Sequence, residues 1–314
     1  MNILLLGANG QVGHALREPL AMLGRLTCAT RSGRLDDGGE CLQADLADAG
    51  SLARALDASE ATIIVNAAAY TAVDRAEDEP GLADRINHVA VAEIGAWALR
   101  HEALVVHYST DYVFDGRNDR PWHENDATAP LGAYGQGKLA GEQALRDSGA
   151  RHLILRTAWV YAARGQNFLR TMLRLAGERD ELRVVDDQVG APTPAGWIAQ
   201  TTAKVLRRWL AMSEQEREIS LGTYHLTASL RCSWFEFAQA IMREAQSAGL
   251  LDKSPRMLPI ASADYPTRAK RPAFSVLDNA KLALVFGQQP RPWQEGLHEV
   301  IGELAAARSN GETS

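Results

Sequence analysis

Two side chains one helical turn apart are the first sign of chemistry in this sequence. Tyr134-Gly135-Gln136-Gly137-Lys138 sets a phenol and an amine at i and i+4, on one face of a helix. A phenol is a poor acid or base near neutrality, and a cation beside it favours the phenolate and brings its pKa toward a useful range. The lysine is informative because the chain has five lysines among its 33 basic residues. With seven tyrosines in 314 residues, chance supplies roughly 0.1 such pair. A third group comes from Val106-His107-Tyr108-Ser109-Thr110-Asp111-Tyr112, which reads as a strand ending in hydroxyls. There Thr110 can donate a hydrogen bond to a carbonyl that Tyr134 protonates, or it can simply close an ST-type turn.

A fourth group sits at the N-terminus. Gly7-Ala8-Asn9-Gly10-Gln11-Val12-Gly13 follows the first apolar run and precedes helical periodicity. Gly7 allows a tight turn off the strand, Gly10 lets backbone approach a pyrophosphate, and Gly13 lets helix pack close on strand. The helix N-terminus then offers free N–H groups and a positive dipole end. With 26 glycines, chance supplies roughly 0.2 such patterns, and roughly 0.02 of this pattern and the Tyr-Lys pair together. The spacing is G-x-x-G-x-x-G rather than G-x-G-x-x-G.

Where strand two ends, Arg31 stands in the place of the acid that would hold a ribose 2′-hydroxyl. A guanidinium suits a 2′-phosphate, so NADPH is favoured over NADH, although the residue reads equally as a solvated loop arginine. Asp45 and Leu46 close strand three, where a carboxylate and an apolar side chain could meet an adenine. Ala67, Ala68 and Ala69 close strand four, small enough for a dinucleotide to lie against the backbone.

Placing these groups together requires elements that alternate. Short apolar runs at Asn2–Leu6, Leu26–Ala29, Glu40–Ala44, Thr62–Asn66, Leu104–Ser109 and His152–Arg156 are mostly continuous, as in strands buried on both faces. Helical patterns at Gln11–Leu23, Ser51–Ala58, Val89–His101 and Tyr134–Asp147 separate them. The expected fold is therefore α/β, a Rossmann-type doubly wound parallel sheet over residues 1–160. Residues 161–314 are expected to form mainly a smaller mixed α/β lobe, with some segments returning to the first domain. Its helical patterns are Phe168–Ala176, Ile198–Met212, Ser233–Ala245 and Trp293–Ala307, divided by proline-rich loops. The polar tail Ser309–Ser314 is expected to fray.

Composition narrows the classes. The chain is 46% hydrophobic and 23% charged, an ordinary globular profile, and no apolar stretch approaches a membrane span. No basic n-region opens it, so no secretory signal is expected. Three widely spaced cysteines (Cys28, Cys41, Cys232) form neither a disulfide framework nor a metal-ligand pattern, and a reducing cytoplasm is expected. A net charge of −6 without a Lys/Arg-rich run argues against a nucleic-acid partner.

Taken together, the glycine turn, N-A-A-A, the strand-five hydroxyl and Tyr-x-x-x-Lys resemble the extended short-chain dehydrogenase/reductase superfamily. Longer segments are similar to the dTDP-4-dehydrorhamnose reductase family: Ala69–Glu77, His107–Gly116, Tyr134–Glu142, Leu155–Tyr161, Val185–Thr193 and Arg271–Asp278. The resemblance runs from Met1 to about Gly302. It implies NAD(P)H-dependent reduction of the C4 ketone of dTDP-4-dehydro-β-L-rhamnose. Tyr134 would be the proton donor, Lys138 the ribose-binding residue that tunes it, and Thr110 the group that polarises the ketone. Gly7, Gly10, Gln11, Val12 and Gly13 would form the phosphate site, with His107 lining the cofactor side beside it. Ser109, Thr110, Asp111, Tyr112 and Trp159 would meet the sugar, with Trp159 packed against it. Trp159 and His107 also read as ordinary core residues, and Asp186, Asp187 and Gln188 as turn caps.

Some members of the family are homodimers bridged by a divalent ion such as Mg2+ at glutamates; no matching carboxylates are identified in this sequence, so the resemblance leaves both dimer and metal open. Two rivals keep the fold: an epimerase or dehydratase that retains NAD⁺, with Asp111 as its extra acid or base, and a non-catalytic NADP-binding regulatory subunit.

Overall fold

The computed structural model describes residues 1–309 and Gly311. Six strands, β1 (Asn2–Leu6), β2 (Arg25–Thr30), β3 (Leu42–Gln43), β4 (Ile63–Asn66), β5 (Leu104–Thr110) and β6 (His152–Thr157), join a seventh from far along the chain, Gly222–His225. Their order is Gly222–His225, β6, β5, β4, β1, β2, β3, and every pairing is parallel. The chain runs outward from β1 through β2 to β3 and then crosses back to β4. The crevice at the carboxyl ends of β1 and β4 is therefore the topological switch point where such sheets bind ligands.

Period-two alternation explains the all-apolar strands. Ile3 and Leu5 of β1 pack on one side against Leu16 and Leu20 of α1 (Gln11–Ala21). Leu4 and Leu6 face the other side, against α2 (Ala49–Ser59) and later helices. Both faces are covered, so each strand needs apolar residues at every position. The helix Ala195–Leu210 packs on α1 through Ile198, Val205 and Leu206, and so belongs to the same core. β3 is shorter than the expected Glu40–Ala44 because Glu40 bridges back to Arg34 in antiparallel fashion.

A second core gathers Tyr161, Leu169, Met172, Phe237, Ile241, Trp293 and Leu297 from the helices Phe168–Glu178, Trp234–Ser247 and Trp293–Ser309. A parallel pair, Glu181–Val185 with Arg256–Ile260, completes that lobe. Ser309 closes the last helix instead of fraying, its hydroxyl donating to the Ala305 carbonyl. Positions 310 and 312–314 of the expected tail lie outside the described residues.

Two short helices, α3 (Val73–Ala76) and α4 (Pro80–Asp84), precede a π-helical turn at Arg85–Val89 and α5 (Ala90–Arg100). They position α6 (Ala133–Asp147), which carries Tyr134 and Lys138. Gly132 gives α6 no side-chain cap, and Glu77, at the end of α3, accepts the Ala133 N–H at 2.8 Å in its place. A carboxylate there also complements the helix dipole. Gly141 lets α6 lie directly on the π turn, since a Cβ would come within 2.1 Å of the Asn87 carbonyl oxygen.

Glu142 is completely buried and receives Arg156 Nε at 2.8 Å and Nη2 at 2.7 Å, which ties α6 to β6. Burial alone would raise its pKa, but the bidentate guanidinium outweighs burial and holds the carboxyl below the usual range. The pair thus stabilises the fold fully above the ordinary carboxylate pKa, and this contribution fades as pH falls toward the depressed value. Glu142→Gln leaves Arg156 as a buried charge without a counter-charge and is expected to cost about 3–5 kcal/mol. Denaturant unfolding of the variant at neutral pH and at about pH 4 checks this, and the deficit relative to wild type should shrink in acid.

Candidate active site

A cleft of about 750 Å³ opens along the carboxyl edge of the sheet and between the two cores. Of the sequence-predicted residues, Gly7, Gly10, Gln11, Val12, Arg31, Asp45, Leu46 and Ala67–Ala69 line it. Ser109, Thr110, Asp111, Tyr112, Tyr134, Lys138 and Trp159 line it as well. One continuous wall therefore holds the glycine turn, the strand-four alanines and the Tyr-Lys pair.

The turn is built for close approach. Gly7 has φ +80°, and a Cβ there would lie 2.7 Å from the Ala68 nitrogen. Gly10 is the N-cap of α1, with no side-chain cap and no acid in the first turn. The first-turn N–H groups are thus left for an anion in the cleft. Gly13 is not on the cleft wall. A Cβ there would sit 2.0 Å from the Gly7 carbonyl oxygen, so its part is to seat the helix on the turn. Gln11 reaches across to the other lobe, where its Oε1 accepts from Asn167 Nδ2 at 2.8 Å.

Arg31 is exposed on the cleft and makes no ion pair among the described residues. The nearby acids are taken: Asp36 pairs with Arg17 and Arg164, and Asp37 with Arg17.

At the reactive end, the phenol of Tyr134 stands beside the Thr110 hydroxyl and edge-on to Tyr112, with ring centroids 5.5 Å apart. Thr110 Oγ1 donates to Asp111 Oδ1 at 2.9 Å and accepts the Tyr112 N–H at 3.2 Å. Thr110 therefore closes the turn, and its single hydroxyl proton is directed at Asp111. Asp111 is buried, which raises its carboxyl to about 6 despite hydrogen bonds from Ser275 and Thr110. Its Oδ2 and Thr157 Oγ1 are buried without a hydrogen-bond partner, and the Ser109 hydroxyl is directed at the Glu142 carboxylate.

Two expectations change. Burial pushes the Tyr134 phenol up to about 12 instead of down. The reason is direction: Lys138 Nζ donates to the Tyr108 carbonyl at 2.6 Å and lies 3.2 Å from His107 Nε2, and burial lowers the amine itself to about 8. The second concerns His107. It shares a face of β5 with Ser109, but it is fully buried one layer beneath the cleft, behind Lys138. Burial, reinforced by the Lys138 charge, holds its pKa well below the ordinary value.

Trp159 adopts φ +49° and stacks on Trp234 at 3.5 Å with rings 4° from parallel. One indole face is therefore covered by Trp234, and the stacked pair lines the cleft. Sequence reading missed Trp234, Thr157 and Gln166, which also line it. Trp234 begins a lobe helix, and only its tertiary stack brings it to the site. Asp187 and Gln188 bond Ser262, and Asp186 accepts from Ser233, so these residues tie turns together.

Among the described residues, no three His, Cys, Asp or Glu gather as a metal site requires, and no helix is long and apolar enough to cross a membrane.

The RmlD substrate binding domain family matches residues 1–306. The chain is 44% identical over 304 residues to the dTDP-4-dehydrorhamnose reductase of Escherichia coli K12, covering 97% of this chain and 98% of that one. It is 45% identical over 308 residues to the dTDP-4-dehydrorhamnose reductase of Burkholderia thailandensis, at 97% and 99% coverage. The crystal structure of dTDP-4-dehydrorhamnose reductase from Bacillus anthracis in complex with NADP superposes with TM-score 0.84 at 31% identity, over 96% of this chain and 98% of that one. With the glycine turn, the hydroxyl strand and the Tyr-Lys helix on one wall, and with matches this complete, the chain belongs to the dTDP-4-dehydrorhamnose reductase family.

Proposed function

We propose that this protein reduces the C4 ketone of dTDP-4-dehydro-β-L-rhamnose to dTDP-β-L-rhamnose with NADPH. The observation that carries the reading is the Tyr134 phenol, still protonated at neutral pH, beside Thr110 on a cleft that also holds an uncapped helix N-terminus. The cleft suits a dinucleotide. The α1 N–H groups at Gly10, Gln11 and Val12 take the phosphates, and the free Arg31 guanidinium takes a 2′-phosphate. Asp45 and Leu46 meet the adenine, and Ala67–Ala69 leave room along the chain.

The bound dinucleotide supplies the hydride. Thr110 turns its hydroxyl proton from Asp111 to the ketone oxygen, and Tyr134 gives its proton to the alkoxide as charge develops there. Lys138 holds the ribose and, as an ammonium, favours the phenolate left behind. The orphaned Asp111 and Thr157 atoms receive sugar hydroxyls, and the Trp159–Trp234 stack forms an apolar wall for the ring. Residues 1–160 carry the cofactor in this reading, and the later lobe carries most of the sugar nucleotide.

The direct test follows absorbance loss from NADPH and NADH separately with dTDP-4-dehydrorhamnose supplied. Steady consumption of NADPH is expected. No net consumption, with NAD⁺ held tightly through turnover, would overturn the reading in favour of the epimerase rival. Tyr134→Phe should lower turnover by about 10²–10⁴ while NADPH binding survives, and turnover near wild type would remove Tyr134 from its role. Arg31→Ala should weaken NADPH by about 1.5–3 kcal/mol, the worth of a hydrogen bond to a charged group, and leave NADH almost unchanged. Titrations of both dinucleotides measure that difference.

A further inference from the structure

Beneath the cleft lies a chain of hydrogen bonds whose donors can be assigned one by one. The Ala68 N–H donates to Asn66 Oδ1 at 3.2 Å, which fixes the orientation of that amide. The Asn66 Nδ2 group therefore faces His107 Nδ1, 3.1 Å away, and Nδ1 must accept. A neutral imidazole carries one proton, so it sits on Nε2. Nε2 faces Lys138 Nζ at 3.2 Å. An ammonium has three donors and no acceptor, so Nε2–H against Nζ–H is donor against donor. A neutral amine resolves the conflict: its lone pair accepts from Nε2–H while one N–H donates to the Tyr108 carbonyl at 2.6 Å.

A second consistent arrangement exists. If the Asn66 amide turns over, its oxygen accepts from Nδ1–H, and Nε2 presents a lone pair to an ammonium. The Ala68 N–H then faces an NH2 group and needs another acceptor. Ala68 lies on the cleft wall, and its nitrogen stands against Gly7, the first glycine of the turn. An oxygen of a dinucleotide lying along Ala67–Ala69 is such an acceptor.

We propose that Asn66 and His107 form a two-state relay that makes the charge of Lys138 conditional on cofactor in the cleft. Without cofactor and above about pH 8, His107 presents Nε2–H and Lys138 is a neutral amine. With cofactor accepting from Ala68, the amide turns over, His107 carries its proton on Nδ1, and Lys138 becomes an ammonium. The ring stays neutral throughout, and the net change is one proton taken from solvent. His107 is thus a positioning residue, acting through Lys138 on the phenolate that Tyr134 leaves.

Other groups facing the amine do not substitute for the relay. Glu142, one turn along α6, favours the ammonium in both states, but Arg156 already holds its carboxylate bidentate. Tyr134, one turn back, keeps its own proton. Burial lowers the amine to about 8, so the neutral form is the major one only above that pH in the cofactor-free protein.

The inference rests on the NADPH reading above, and the test separates the two. NADPH is titrated calorimetrically into the full chain in two buffers of different ionisation enthalpy, at about pH 8.5, where its phosphates are fully ionised. Wild type is expected to take up more than half a proton per NADPH. Uptake should fall toward zero below about pH 7, where Lys138 is already charged. His107→Gln can turn an amide oxygen to the ammonium whatever Asn66 does, so it should bind NADPH with little uptake. Binding by wild type without uptake overturns the relay, as does equal uptake in the variant. If that variant does not fold, Asn66→Asp, whose carboxylate can only accept and so holds the proton on Nδ1, should likewise bind NADPH with little uptake. Failure of NADPH to bind at all would sink the cofactor reading instead.

Discussion

Burying an amine at the carboxyl edge of an all-parallel sheet is the constraint to which the rest of the site answers. Lys138 is 2% exposed, and a desolvated ammonium costs several kcal/mol unless its neighbours supply acceptors. Its neighbours share that task unequally. The Tyr108 carbonyl is an acceptor in every state, Glu142 contributes a field, and His107 contributes an acceptor or a donor depending on its tautomer. Placing the amine within reach of all three requires α6 to lie almost on the backbone of its neighbours. That explains why a helix bearing reactive groups also carries Gly135 and Gly141, residues that weaken an isolated helix by about 1 kcal/mol each. Packing and the borrowed Glu77 cap offset that weakness.

The same desolvation acts on the phenol and the carboxyl in the same direction. Tyr134 rises because its phenolate would be stranded, and Asp111 rises because its carboxylate would be. Thr110 lies between them, donating to one and standing beside the other. At neutral pH the phenol, at about 12, keeps its proton, whereas the carboxyl, at about 6, is largely ionised, so the two groups are split into an acid and a base by the same burial.

The parts legible in the sequence are those whose physics is local. The glycine turn is a seven-residue statement about close approach, and Gly7 and Gly13 meet their neighbours as their spacing required. Tyr134 and Lys138 share a helix face because 3.6 residues make a turn, and the strands of the sheet announced themselves as unbroken apolar runs buried on both sides. Tertiary partners left no such mark. Asn66 and His107 are 41 residues apart and meet because β4 and β5 pair with those two positions in register. Trp234 joins Trp159 from another lobe, and Glu77 caps a helix 56 residues away. Gly222–His225, a short stretch with little apolar pattern, entered the central sheet because β6 offered it an edge.

The reversed expectation for Tyr134 shows where spacing stops being informative. An i, i+4 pair places two side chains on one face, but it does not decide where each polar tip points. Here the tip of Lys138 is turned toward β5 by the Tyr108 carbonyl, and the tyrosine is left with burial as its dominant influence. A raised phenol pKa is compatible with reduction, because the group must hold a proton before it can give one. What it makes costly is the phenolate afterward. That cost falls when a positive charge appears nearby at the right moment, so the charge state of Lys138 matters more than its mere presence on the helix.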